Sequence, residues 1–258
     1  MRALRPLTAA IVVALCLCIP AQAEVSEQGN LITTFQSELA PKTLPRDKPA
    51  PVSVSVAGDF ETRAHALLPQ LRTISVAINS AGILDDAGLP TCRVSAIQPA
   101  TEGNAKALCH RAIVGSGHVT VGVRLDNQPP FEVKANLLAF NGPVENGHKL
   151  ILAQVYSKNP PGAFVLTFKL THRSGLFGTV MSTKLPRLAQ GWAYLSHFDM
   201  KLDRQYTYRG KAHSYISAAC AAPAGFPGAV FPLAKASYGF AGGRHLTTTI
   251  VRSCRVGG

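Results

Sequence analysis

His197 and Asp199 stand two residues apart in WAYLSHFDMKLD. In an extended chain that spacing puts both side chains on one face, about 7 Å apart. An imidazole beside a carboxylate is the pairing that general acid–base catalysis uses, and Lys201 and Asp203 continue the same polar face. A solvated strand face with alternating charges has the same pattern, so His197 and Asp199 are weak candidates for catalytic residues. The other histidines, His65, His110, His118, His148, His172, His213 and His245, fall in no recognised spacing with Cys, Asp or Glu, and no metal site is expected. A nucleophile elbow of the GxSxG kind is missing, and GSGH at Gly115–His118 reads as a turn. Asp85 and Asp86 are adjacent, so an extended chain points them apart; they belong to a turn rather than to a glycosidase pair. Gly239, Gly242 and Gly243 lie in YGFAGGRH, which reads as a hairpin and not as a phosphate loop. No cofactor is expected. Trp192, Tyr194, Tyr206, Tyr208, Tyr215 and Tyr238 gather in the last third, where aromatics could stack on sugar rings, but they alternate with polar residues as core positions do.

The elements that would carry these residues are strands. Val52, Val54 and Val56 alternate with Ser53 and Ser55, and a second strand runs through Arg72–Asn79. His118–Asp126, Phe131–Phe140, Lys149–Tyr156 and Phe164–His172 follow, separated by DNQPP, NGPVENG and KNPPG. In the last of these, Phe164, Leu166, Phe168 and Leu170 form the core face. Trp192, Tyr194, Phe198, Met200 and Leu202 share a face of a later strand, and Ala212–Cys220, Val230–Phe240 and Leu246–Val256 close the chain. One helix is expected over Ala100–Ala112, capped by Thr101, with Ala105, Leu108, Cys109 and Ala112 on one face. Residues 24–50 read as a polar, Pro-containing leader with a short helix over Leu31–Leu39. The fold class is therefore all-β over residues 51–258, a β-sandwich or jelly-roll-like domain of roughly 10–13 strands with one short helix and two disulfides. Two small β domains split near residue 175 are the alternative.

The first 23 residues read as a signal peptide: Arg2 and Arg5, an apolar run from Leu7 to Ile19, then Ala21-Gln22-Ala23. Cys16 and Cys18 lie inside that run after Leu residues, which does not suit a lipoprotein site. No later segment reaches transmembrane length, so the mature chain is expected to be secreted or held at the cell surface. Cys92, Cys109, Cys220 and Cys254 remain, an even number that suits an oxidising compartment. Four cysteines allow three connectivities; local closure favours Cys92 with Cys109 and Cys220 with Cys254. Losing Arg2 and Arg5 lowers the formal charge from +12 to +10. Such a field favours an anionic polysaccharide or cell-wall polymer as partner, while scattered Lys and Arg with no basic run make nucleic acid a poorer fit.

The segments ELAPKTLPRDKPAPVSVSV, GLPTC, AFNG, SYISAAC, FPLAKASYGF and TTTIVRSCRV together resemble a family of exported actinobacterial proteins of unknown function. That resemblance covers nearly the whole mature chain and implies no activity, cofactor or site residue. The expectation is a secreted, non-enzymatic structural or binding protein; the alternative is a secreted β-sandwich hydrolase or lyase acting on polysaccharide.

Overall fold

The computed structural model describes residues 23–63, 66–187 and 191–257; the expected signal peptide, up to residue 22, and His65 lie outside them. Seven strands come first: β1 Glu24–Gln28, β2 Leu31–Ala40, β3 Thr43–Leu44, β4 Ala50–Pro51, β5 Ser53–Thr62, β6 Leu71–Asn79 and β7 Gly82–Leu84. Helices α1 (Val94–Ile97) and α2 (Glu102–Cys109) precede five long strands: β8 Ile113–Val123, β9 Phe131–Glu145, β10 His148–Lys158, β11 Pro161–His172 and β12 Phe177–Lys184. The remainder is β13 Ala193–Leu202, β14 Gln205–Tyr208, β15 Lys211–Ser214, β16 Ile216–Ala218, β17 Gly228–Phe240 and β18 His245–Val256.

The class is all-β, with both disulfides paired as the spacing suggests, Cys92–Cys109 and Cys220–Cys254. Among the described residues, thirteen strands form one sheet in the order β1-β2-β5-β13-β8-β9-β10-β11-β12-β6-β17-β18-β3. The facing layers of the expected sandwich are two stretches of this one sheet, curled until its ends meet. Side chains tie that seam: Ser26 Oγ donates to the Thr247 carbonyl at 3.1 Å, and Arg252 donates to Glu24 and to the Ser37 carbonyl, both at 2.8 Å. β11 pairs with β12 across residue 175, so the sheet is continuous there.

Most strands are antiparallel neighbours joined by tight turns. At Asn146-Gly147 and Arg209-Gly210 both residues have positive φ, the type I′ geometry whose twist matches a hairpin. The sheet's sides are sharply different. Val119, Val121, Leu137, Ile151, Ala153 and Leu166 face inward, whereas His118, Thr120, His197, Asp199 and Lys201 sit at the alternate positions. A membrane-spanning barrel has the inverse pattern, apolar outside and polar within.

The outer face of β9 and β10 is covered. Leu138, Phe140, Leu150 and Leu152 pack there against Ile97, Ala105, Ala112 and Cys92. Buried on both sides, these strands read as the unbroken apolar runs NLLAF and LILA. Gln154 Nε2 donates to the Ile97 and Ala100 carbonyls, and Asn141 Nδ2 to those of Leu89 and Pro90, which holds the helical segment on the sheet. Thr101 accepts from Asn104 N at the start of α2, the cap expected from sequence. Thr101→Ala should lower stability by about 1 kcal/mol in a denaturant titration. Lys106, and then Asn136, donate to Glu102 and hold its carboxyl below the ordinary range. That stabilisation is present at neutral pH and fades as pH falls through the carboxylate range.

Four expectations need correction. Residues 24–50 are not a leader beside the sheet: they supply β1 to β4, and Leu31–Leu39 is strand. Leu31, Phe35 and Leu39 are spaced i, i+4, i+8, which suits one helix face and equally every second inward position of a strand; Thr33 and Ser37 fill the positions between and are also buried. GSGH is not a turn but lies inside β8. Glycine is needed there for close approach, since a Cβ at Gly117 would meet the Asp199 carbonyl oxygen at 2.0 Å. In β13 a bulge between Leu195 and His197 changes the alternation, so Leu195 and Phe198 line the interior while Tyr194 covers Gly122 on the other side. Trp192 and Tyr194 therefore do not share a face with Phe198. In α2, finally, Ala105 is buried but Leu108 is 67% exposed, because β9 and β10 meet the helix on the Ala105 and Ala112 side. β12 had no counterpart in the sequence reading.

Candidate functional site

The curled sheet does not fill its own interior. Near the seam the space is packed: Phe35, Phe60, Tyr238 and Phe240 meet edge-on at centroid distances of 5.0–6.3 Å, with Leu31 and Ile250 beside them. Tyr238 Oη is buried there without a hydrogen-bond partner, and burial pushes its phenol well above the ordinary value. Tyr238→Phe should therefore leave the unfolding midpoint unchanged or raise it, since no protein hydrogen bond is lost.

Beyond this packed aromatic group lies a cavity of about 130 Å³. Its wall is built from the inward positions of β2, β5, β6, β8 to β13 and β17: Val56, Val76, Val121, Leu166, Phe168 and Met200 represent the lining. Val56, Val121, Phe164, Leu166, Phe168, Met181, Phe198 and Met200 face inward yet are only half-buried, and all of them line the cavity. The lining contains no charged residue. Its polar members are few: Asn79 is held by the Pro232 carbonyl and Ala81 N–H, and Ser37 and Ser217 complete the set.

The two ends of the cavity differ. At one end a second small sheet, β4-β16-β7, lies across it and contributes Gly82, Leu84 and Ile216–Ala218. The Cys220–Cys254 bridge lies just after β16 and ties it to β18. At the other end the lining runs out to half-buried Leu185 and exposed Pro186, between β12 and β13. Such an enclosure takes hydrocarbon well and charge badly. Transfer of apolar surface into it is worth about 25 cal/mol per Å², whereas an unpaired ion would have to shed its hydration at a cost of several kcal/mol.

The polar side of β13 carries the cluster anticipated around His197. His197 Nδ1 lies 2.7 Å from Asp59 Oδ1 and His197 Nε2 lies 3.5 Å from Asp199 Oδ2; His118 Nδ1 is 3.4 Å from Asp199 Oδ1. Sequence reasoning found the His197–Asp199 pair but missed Asp59 and His118, which reach it from β5 and β8 by cross-strand pairing. The side chains are 35–69% exposed and none lines the cavity. Exposed pairs of this kind contribute at most about 1 kcal/mol, so His197→Ala should change the midpoint of urea unfolding only slightly.

Asp85 and Asp86 fall in a turn as expected. Asp85 accepts from Ala87 N and lies 3.3 Å from His213 Nδ1, and Lys149 pairs with Asp86. Tyr206 stacks on His213 and donates to the Ala87 carbonyl, and burial, reinforced by Asp85, pushes its phenol up to about 12. Tyr208 lies over Gly88. These aromatics dock the β14–β15 hairpin rather than form an open stacking platform. No group of His, Cys, Asp and Glu suited to a metal occurs among the described residues, and none of their helices is long and apolar enough to cross a membrane.

The cavity escaped the sequence reading. The one signal for it is the sustained large-apolar alternation of β11, Phe164-Leu166-Phe168, which is compatible with a packed core and with a lined void alike. Comparison with known proteins found no matching family model, curated protein or solved structure.

Proposed function

We propose that this chain is a non-catalytic binding protein that holds an apolar, uncharged chain or ring inside its curled sheet. The cavity carries the reading: about 130 Å³, walled by aliphatic and aromatic side chains, with no charge in the lining. Its size is close to that of a cavity of about 150 Å³ known to take benzene, so it encloses one hydrocarbon chain or ring, with the remainder of a larger ligand and any charged head left toward the open end at Leu185 and Pro186. The signal-like first 23 residues and the two disulfides support a working place outside the cytoplasm.

Titration with the neutral dye N-phenyl-1-naphthylamine tests this. Saturable fluorescence enhancement near one dye per chain, displaced by fatty alcohols, is the expected result. A linear, non-saturable signal that no aliphatic competitor displaces would overturn the proposal.

A further inference from the structure

The open end of the cavity carries large apolar side chains in water. Trp192 is 41% exposed, Phe131 41% and Leu67 60%. They occupy one arc: Leu67 follows β5, Trp192 precedes β13 and Phe131 begins β9, and the sheet order there is β5-β13-β8-β9. The pieces are joined. Arg124 N, just after β8, donates to the Trp192 carbonyl at 2.8 Å, Phe131 pairs with Val123, and Gln70 lies against Gly191. Pro186, which lines the cavity, is exposed at the same end. Exposed Arg63, Arg124, Lys158, Lys184 and Arg187 surround the arc against Glu61, Asp126 and Glu132, and Arg63 pairs with Glu27. At the opposite end, β4-β16-β7 lies across the cavity.

We propose that this rim is a docking surface for an anionic lipid bilayer, with Trp192, Phe131 and Leu67 entering the headgroup region and the surrounding cations facing lipid phosphates. Aromatic rings of amphipathic character settle at that depth, and Lys and Arg add attraction to anionic headgroups. The surface lies where an apolar ligand leaving a membrane would have to enter, so the inference builds on the proposed function while standing on separate observations.

Trp192 is the single tryptophan of the chain, and its emission reports on the rim directly. Mature protein mixed with phosphatidylglycerol vesicles should show a blue-shifted Trp emission that brominated acyl chains quench, with much weaker effects on phosphatidylcholine. The variant W192S/F131S/L67S should sediment with anionic vesicles at least tenfold less while its naphthylamine binding is unchanged. Should that variant fail to fold, the emission and quenching of the wild-type chain decide alone. Absent emission change, or vesicle binding that the triple substitution leaves intact, would overturn the proposal. So would equal retention of both proteins on heparin together with no vesicle binding, since the basic surface would then serve a soluble polyanion. Vesicle binding without dye uptake would retain the docking surface and discard the cavity reading.

Discussion

Ala153→Trp should abolish dye uptake while leaving the fold in place. Ala153 is 2% exposed, lies in the middle of β10 and lines the cavity, so a larger side chain built from it grows into the void. An indole is of the size that the space accommodates, and affinity for the naphthylamine should fall by more than tenfold, as saturation fluorescence would show. The stability response separates this site from an ordinary core position. Overpacking a filled core costs about 1–3 kcal/mol; filling an existing apolar void removes lining surface from water and returns dispersion contacts, so the unfolding midpoint should be retained or raised. Ala139 makes the control: it is fully buried in the main core and does not line the cavity, so Ala139→Trp should destabilise strongly.

The second large effect concerns the Cys220–Cys254 bridge, which closes a separation of 34 residues. Replacing both cysteines by Ala should lower stability by about 3–4 kcal/mol on the chain-entropy estimate. The shorter Cys92–Cys109 bridge, with a separation of 17, should cost about 3 kcal/mol. Location distinguishes the two more than size does. Cys220 and Cys254 belong to the main core beside β16 and β18, whereas Cys92 and Cys109 belong to the helical segment on the outer face of β9 and β10. Losing the first should therefore loosen the small sheet across the cavity and raise hydrogen exchange in β16, while losing the second should raise exchange in α1 and α2 and spare dye binding. Guanidinium titrations and exchange mapped by mass spectrometry check both statements.

Much was legible in the residues themselves because the determining physics is local. Period-two alternation marks a strand wherever one face meets apolar surroundings, as in Val119-Thr120-Val121 and Phe164 to Leu170. Asn146-Gly147 selects its own turn, and Thr101 its own helix start. Cysteine spacing suggested both disulfides because each joins neighbours in the chain. Where the residues misled, two structures shared one pattern: Leu31, Phe35 and Leu39 satisfy a helix and a strand, and Gly115-Ser116-Gly117 suits a turn until the Asp199 and Lys201 carbonyls are known to press on it. Half of the polar cluster on β13 could be read from His197 and Asp199; Asp59 and His118 join it only through register, 138 and 81 residues away in the chain.

What the sequence determined by itself is the all-β class, the inward and outward sides of most strands, the four cysteines whose spacing favours local pairing, and the basic charge. Tertiary structure alone decided whether the inward sides meet. Sheet curvature brings Phe35, Phe60, Tyr238 and Phe240 into contact near the seam, yet leaves Val121, Leu166, Phe168 and Met200 facing a void. Alternation states that a side chain avoids water; it does not state what stands opposite, and that distance is set by how thirteen strands close on one another.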